Sequence, residues 1–316
     1  IAADSKGLFV LDQGGISRGR IRYINLSANP TEVAGVTIQS NTIDTIGGTG
    51  LGSPFDGGLA SSAGFNTPTG VGVDANGNLW ITDTLSSKLR FANLTLTNVT
   101  NPDGVKGTTI FPGTAAEQFV RLGGIATVNK DVGTGATDGV PVNQAGLDTP
   151  QGIAITAQGI FFADTKKGGS SQGSGARRTG LVRFINTTSQ TIEFYSSGTT
   201  KVSVPPAGIA TIAGSATSPL SDANPTDGPN PLAAKFTGPT DVAIHPTSGD
   251  IYVADAGNKR IRRIVRSTGV VSTILTGAAN DAYTGLSFDS QGRLLAANAG
   301  TKTTAALTGN SSILRE

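Results

Sequence analysis

Four aspartates occupy one position of a recurring pattern. Asp12, Asp83, Asp164 and Asp255 each close a short apolar run, and Asn298 takes the same place in a fifth. A ring of carboxylates is the chemistry of a calcium site, because Ca2+ is held by several hard oxygen ligands. Recurrence in every copy favours a structural role, since one metal site draws different residues from different copies. An Asp that ends a strand can accept backbone N–H bonds in the turn that follows. The chain has one His and no Cys, so a multi-His zinc centre, a thiolate site and a disulfide are all excluded. His245 precedes Pro246 where other copies have Asp4, Asp74 and Asp289, which is the place of a turn residue. No G-x-S-x-G nucleophile motif occurs, and the Gly-rich stretch 168–175 lacks the Gly-Lys-Ser/Thr ending of a phosphate loop. No catalytic, cofactor-binding or metal-ligating residue is therefore assigned. Calcium is the one ion left open, and an enzyme is the less favoured reading.

Two other patterns carry chemistry. The run Lys259-Arg260-Ile261-Arg262-Arg263-Ile264-Val265-Arg266 has the charge of a nucleic-acid patch. Alternation along a strand splits those charges between two faces, and no aromatic platform is interleaved with them. Only Lys259, Arg263 and Arg266 exceed what the repeat itself explains, and no nucleic-acid partner is expected. N-glycosylation sequons begin at Asn25, Asn93, Asn98, Asn186 and Asn310, about the number that so much Ser and Thr yields by chance.

These residues are positioned by a repeat. Residues 239–277 hold four apolar runs, 242–244, 251–254, 261–265 and 271–275, separated by turn chemistry at His245-Pro-Thr-Ser-Gly-Asp, Ala256-Gly-Asn and Ser267-Thr-Gly. That is a four-stranded antiparallel meander. Its second strand aligns with Leu8-Phe-Val-Leu-Asp12, Leu79-Trp-Ile-Thr-Asp83, Ile160-Phe-Phe-Ala-Asp164 and Leu294-Leu-Ala-Ala-Asn298. Three first strands follow Pro68, Pro150 and Pro239 in a Pro-x-Gly or Pro-x-Asp lead-in. An Arg recurs in the third strand, as Arg22, Arg90, Arg183 and Arg262. The fourth strands align at Thr45-Ile46, Thr127-Val128, Thr211-Ile212 and Thr273-Ile274. Between repeats, Asp56-Gly57, Asp138-Gly139 and Asp227-Gly228 precede the next lead-in Pro at one interval. Ala63, Ala145 and Ala234, then Phe65, Leu147 and Phe236, are fixed in between. A small residue followed by a large apolar one suits a connector that plugs the gap between neighbouring sheets. The column Phe9, Trp80, Phe161, Tyr252 makes both sheet faces apolar, so it reads as core.

The motifs PTGVGVDANGNLWITD, PQGIAITAQGIFFAD and PTDVAIHPTSGDIYVADAGNKRIRRI resemble the NHL-repeat family of β-propellers, and the likeness extends over essentially the whole chain. The resemblance implies an all-β chain of four-stranded antiparallel blades around a central channel, the first strand of each unit innermost. Five blades are visible, at about 1–50, 66–130, 148–214, 237–277 and 282–316, in a single domain, with six in the ring if closing residues lie outside it. The family includes metal-dependent lyases and RNA-binding members, and related propellers are lactone hydrolases.

Bulk composition agrees with a processed or excerpted segment of a longer chain. It has no Met, no long apolar run, Gly 44, and 24 Lys plus Arg against 22 Asp plus Glu. This balance gives no charge-driven case for nucleic acid or anionic membrane. The Gly, Thr, Ser and Asn content resembles that of bacterial secreted and surface proteins. Three insertions, at about 25–42, 93–124 and 186–208, fall between third and fourth strands and so share one face, while 165–180 projects from the other. The expected function is a non-catalytic extracellular or cell-surface recognition, adhesion or structural module that contacts protein or glycan through these loops. The alternatives are a calcium-dependent, lactonase-like hydrolase or lyase, its channel mouth lined by Thr69, Gln151, Thr240 and Thr284, and an RNA-binding NHL domain.

Overall fold

The computed structural model describes residues 1–13, 19–48, 63–94, 99–100, 109–110, 119–123, 138, 140–142, 145–165, 179–215, 227–278, 281–299 and 314–315. Among them there is no α-helix, and strands dominate. Sheet 1 is built from Ala2–Ala3, Gly7–Asp12, Arg20–Asn25 and Ile43–Gly47, and sheet 2 from Pro68–Val73, Leu79–Asp83, Lys88–Ala92 and Phe119–Gly123. Sheet 3 uses Pro150–Thr156, Gly159–Thr165, Thr179–Asn186 and Gly208–Ala213, and sheet 4 uses Asp241–Ile244, Ile251–Asp255, Arg260–Ile264 and Val271–Thr276. In each, consecutive strands pair antiparallel, as the sequence pattern predicts. Packing divides the chain into two compact units, Ile1–Val128 with Pro141–Pro150 and Asn129–Val140 with Gln151–Glu316.

Two sequence expectations are corrected. The fourth strand of sheet 2 is Phe119–Gly123, inside the stretch assigned to a loop, and Thr127-Val128 lie outside the described residues. Sheet 5, in the segment expected to be a fifth antiparallel blade at about 282–316, joins Tyr283–Phe288 and Leu294–Asn298 antiparallel, but Leu314–Arg315 pairs parallel to the second strand.

The double-sided apolar pattern is realised as buried strands, with all of Leu79–Asp83 and Gly159–Thr165 buried. Cross-strand aromatic pairs stitch second strands to third. Phe9 faces Tyr23 with centroids 4.8 Å apart, Trp80 faces Phe91 at 5.0 Å, and Phe161 faces Phe184 at 4.7 Å. The connector residues Ala63, Phe65, Ala145, Leu147, Ala234 and Phe236 are all buried, as a plug requires.

The insertions after the third strands of sheets 1, 2 and 3 each contain a two-stranded hairpin: Thr31–Val33 with Val36–Ile38, Val99–Thr100 with Thr109–Ile110, and Ile192–Phe194 with Val202–Val204. The first and third are not loose loops, because Ile38, Phe194, Tyr195 and Val204 are core residues.

Candidate functional site

The recurrent Asp and Arg columns meet. In sheet 2, Arg90 Nη1 lies 3.3 Å from Asp83 Oδ2 with both side chains fully buried, and it donates to Gly64 O at 2.7 Å. In sheet 3, Arg183 Nη1 is 3.5 Å from Asp164 Oδ2, and in sheet 4, Arg262 Nη1 is 3.5 Å from Asp255 Oδ2. The guanidinium carbons of Arg90 and Arg262 sit 4.9 and 5.6 Å from the ring centroids of the connector residues Phe65 and Phe236. The second carboxylate oxygen accepts a backbone N–H, from Asn66 to Asp83 Oδ1 and from Thr237 to Asp255 Oδ1, each at 2.7 Å. These backbone donors come from the incoming connector, while the turn that follows donates through a side chain, Asn258 Nδ2 to Asp255 Oδ2 at 2.8 Å. Burial pushes the Asp255 carboxyl up to about 6 and raises Asp83 as well. The facing arginines and N–H donors only partly offset this desolvation. These acids act as strand-to-connector locks.

A second acid completes two of the locks. Arg183 Nη2 stands 3.5 Å from Asp138 Oδ1, which also accepts Thr211 N–H at 2.7 Å and Thr211 Oγ1 at 3.1 Å. Arg262 Nη2 donates to Asp227 Oδ1 at 2.7 Å, while Thr273 N–H and Oγ1 donate to Asp227 Oδ2 and Oδ1 at 2.9 and 3.1 Å. This is the structural meaning of the recurring Asp-Gly, Arg and Thr. The connector runs along the outer edge of the next sheet. Val140–Pro141 lies beside Gly208–Ala213 in sheet 3, and Gly228 bridges Val271 in sheet 4. An edge strand that would otherwise expose its N–H and C=O groups is thereby covered.

The sequons form a third device. Asn25 Nδ2 donates to Asn29 O and Ile38 O at 2.8 and 2.9 Å, while its Oδ1 accepts Ser27 N–H at 2.9 Å and Ser27 Oγ at 2.7 Å. Asn186 repeats this with Gln190 O and Val204 O at 2.7 and 2.8 Å and with Thr188 N–H and Oγ1, both at 2.8 Å. Both amides are fully buried, as is Asn93. The side chain closes an Asx turn at the base of the inserted hairpin, so the Ser or Thr two residues on is a structural partner. Asn98 and Asn310 lie outside the described residues.

The other chemistry candidates are also tied into structure. His245 Nδ1 accepts Thr247 and Ser248 N–H, each at 3.2 Å, which is the turn role its column predicts. Arg263 donates from Nε and Nη2 to Asp250 Oδ2 at 2.9 and 2.6 Å. Arg266 lies 3.6 Å over the Phe194 ring and donates to Glu193 O at 2.6 Å, which ties the third hairpin to sheet 4. Thr69 shares a 2.6 Å hydrogen bond with Thr84, and Thr240 Oγ1 donates to Tyr283 O at 2.7 Å.

Sequence reasoning missed Asp241. It stands where Gly70, Gly152 and Gly285 occupy the other lead-ins, and that acidic substitution in one copy was the available signal. Asp241 Oδ1 accepts Val242 N–H at 2.8 Å and Oδ2 accepts Leu286 N–H at 2.7 Å, clasping the first strands of sheets 4 and 5. A Cβ at Gly152 would overlap the Asp241 Oδ1, so the glycine makes room for the carboxyl. Desolvation pushes Asp241 up to about 7 against these two N–H donors, although part of its surface is accessible. One carboxyl with two N–H donors does not fit a calcium ion. No group of three His, Cys, Asp or Glu stands together among the described residues.

Comparison with the curated proteins found no match. Among solved structures, an auxiliary nutrient binding protein from Bacteroides thetaiotaomicron is similar at 12% identity and TM-score 0.41, covering 92% of this chain and 55% of that one. This chain thus spans little more than half of that protein's length. A gluconolactonase from Xanthomonas campestris matches at 12% identity and TM-score 0.41, over 88% of this chain and 65% of that one. A regucalcin, a calcium-binding protein from Agrobacterium tumefaciens, matches at 13% and TM-score 0.31, over 76% and 70%. Residues 236–264 match the NHL repeat family, a segment that runs from Phe236 of the connector through Asp255 and Arg262 to the end of the third strand. The chain contains an NHL repeat at residues 236–264, and the matched segment lies within one of its antiparallel β-sheets, sheet 4, and the connector that leads into it.

Proposed function

We propose that the chain is a non-catalytic extracellular or cell-surface recognition module that uses its inserted hairpins to contact protein or glycan. What supports this is how the hairpins are built. Asn25 and Asn186 fasten their bases, and Ile38, Phe194 and Val204 anchor one side in the core. Glu32 and Thr37, and Glu193 and Ser203, are left outward as cross-strand pairs. A contact surface already ordered before binding loses little conformational freedom on association. A glycan array probed with the wild-type chain and with a variant carrying E32A, T37A, E193A and S203A tests the glycan form of this reading. Signals lost in the variant support the hairpin surface, and signals unchanged between the two remove it.

Asp241 favours a second reading, a hydrolase or lyase in which a carboxyl that titrates near neutrality serves as general acid or base. No step through calcium is derived, because the residues around Asp241 do not form its ligand set. Lactone hydrolysis assayed with wild type and D241N decides this reading: turnover lost in D241N supports it, and turnover absent from both leaves the recognition module.

A further inference from the structure

Sheets 3 and 4 both carry an Asp-Gly connector on the outer edge, and sheet 1 has the same receptor without a connector among the described residues. Three features match in register. Arg22 faces Thr45 as Arg183 faces Thr211 and Arg262 faces Thr273, and in all three ladders the register shifts at that Arg, between Ile21/Arg22, Val182/Arg183 and Ile261/Arg262. The irregularity aims the guanidinium and the Thr N–H and hydroxyl at one point, which Asp138 and Asp227 fill in sheets 3 and 4.

In sheet 1 no second acid occupies that point among the described residues. The Arg22 side chain is 33% exposed, whereas Arg183 and Arg262 are fully covered. Among the described residues the one carboxylate facing Arg22 is Asp12, 3.9 Å away and itself 37% exposed. The Thr45 hydroxyl has no described hydrogen-bond partner, and Thr45 N–H is met by the adjacent Asp44 Oδ1 at 2.7 Å. The position held by Val271 in sheet 4, which Gly228 covers by exchanging two backbone hydrogen bonds of 3.0 and 2.8 Å, is Ile43 in sheet 1. Val271 is 2% exposed and Ile43 is 43% exposed.

We propose that the outer edge of sheet 1, Ile43–Gly47 with Arg22 and Thr45, is a docking site for an extended Asp-Gly-bearing segment. The occupant is of the kind this chain itself lays on sheets 3 and 4. Its carboxylate takes the Arg22 and Thr45 donors, its glycine exchanges backbone bonds with Ile43, and Asp44 swings outward. Recognition combines strand addition to an open edge with a charge-assisted hydrogen bond.

The probe is a synthetic peptide of residues 223–232, which spans Asp227-Gly228, titrated into the 316-residue chain by fluorescence anisotropy with a D227N peptide as its partner. Saturable binding is expected, weakened about tenfold or more by the D227N peptide and by R22Q or T45V in the chain. It should be tightened by D44S, which places there the Ser that sheet 4 has at Ser272. The fluorescence of Trp80 checks folding of each chain variant, and the peptide substitution needs no folding control. Absence of saturation at millimolar peptide, or equal binding of the two peptides, overturns the proposal. So does self-association of the chain through this edge, seen by sedimentation and abolished by R22Q, with no peptide binding.

Discussion

Arg262 and Asp227, 35 residues apart in sequence, meet at 2.7 Å on the outer edge of sheet 4. The guanidinium is fully covered and lies between this half-exposed carboxylate and the buried Asp255. Removing the cation strands Asp255 in the interior, so R262M should cost about 3–5 kcal/mol. D227A leaves Arg262 one carboxylate and should cost about 1–3 kcal/mol. R22M, at the exposed pair of sheet 1, should cost less than about 1 kcal/mol. Urea unfolding followed by far-UV circular dichroism ranks the three, and R22M equal to R262M would show that Arg262 does not act as a buried strand-to-connector lock.

Asn186 holds the base of the third hairpin through four short hydrogen bonds. N186A should destabilise by about 2–4 kcal/mol, because the buried bond to the Val204 carbonyl and the partly buried one to Gln190 are lost together. T188A should cost about 1 kcal/mol, since the backbone N–H bond to Asn186 survives. Protection of the Ile192–Phe194 amides from hydrogen exchange should fall in N186A before that of Gly159–Thr165. Uniform loss across both strands would argue against a local anchor.

Gly152 and Asp241 are sterically coupled. G152A puts a methyl where the Asp241 carboxyl lies, at fully formed strands, and should cost about 2 kcal/mol or more. D241G restores the glycine found at that position in the neighbouring copies and should relieve most of the penalty in the double variant. A double-mutant cycle measures this, and simple additivity would refute the coupling.

Asp241 also gives stability a pH dependence of definite sign. Its folded value of about 7 lies above the ordinary carboxyl value, so the folded chain binds this proton more tightly than the unfolded chain. Its stabilising contribution is complete below about pH 4 and is lost as pH rises through about 7. Asp255, raised to about 6, acts in the same direction. Asp250 is lowered; the pull of burial is outweighed by the Arg266 N–H and Arg263, so its effect lies below this window. Unfolding free energy should fall between about pH 4 and pH 7, and D241N should flatten the slope by up to about 1.4 kcal/mol per pH unit. An unchanged slope in D241N would assign the dependence elsewhere.

The meander was legible because each strand repeats a local rule. Apolar residues at Leu79, Trp80 and Ile81 demand burial on both faces, and Asp83 ends the strand before a tight turn. The Arg and Asp columns were visible one by one, but their pairing depends on which face each strand presents after a register shift, and spacing does not encode that. Asp138 is 73 residues from Thr211, so its role required the outer-edge path of the connector. Phe119–Gly123 was hidden because the preceding insertion has no fixed length. Asp241 was overlooked because it was grouped with the glycines of the other lead-ins, although a carboxyl beside the first strands of sheets 3 and 5 changes the electrostatics completely. The insertions read as free loops because their alternating apolar runs, Val36–Ile38, Ile192–Phe194 and Val202–Val204, are only three residues long within polar sequence, and only docking shows that they are core.

The Asx turn at Asn25 and Asn186 bears on how such chains are classified. At the bases of the first and third hairpins, packing and hydrogen bonding account for an Asn followed two positions later by a hydroxyl side chain. Motif scans will then report glycosylation signals in proteins that never meet a glycosyltransferase. In this chain the sequons at Asn25 and Asn186 are accounted for by hairpin anchoring and carry no information about the secretory route.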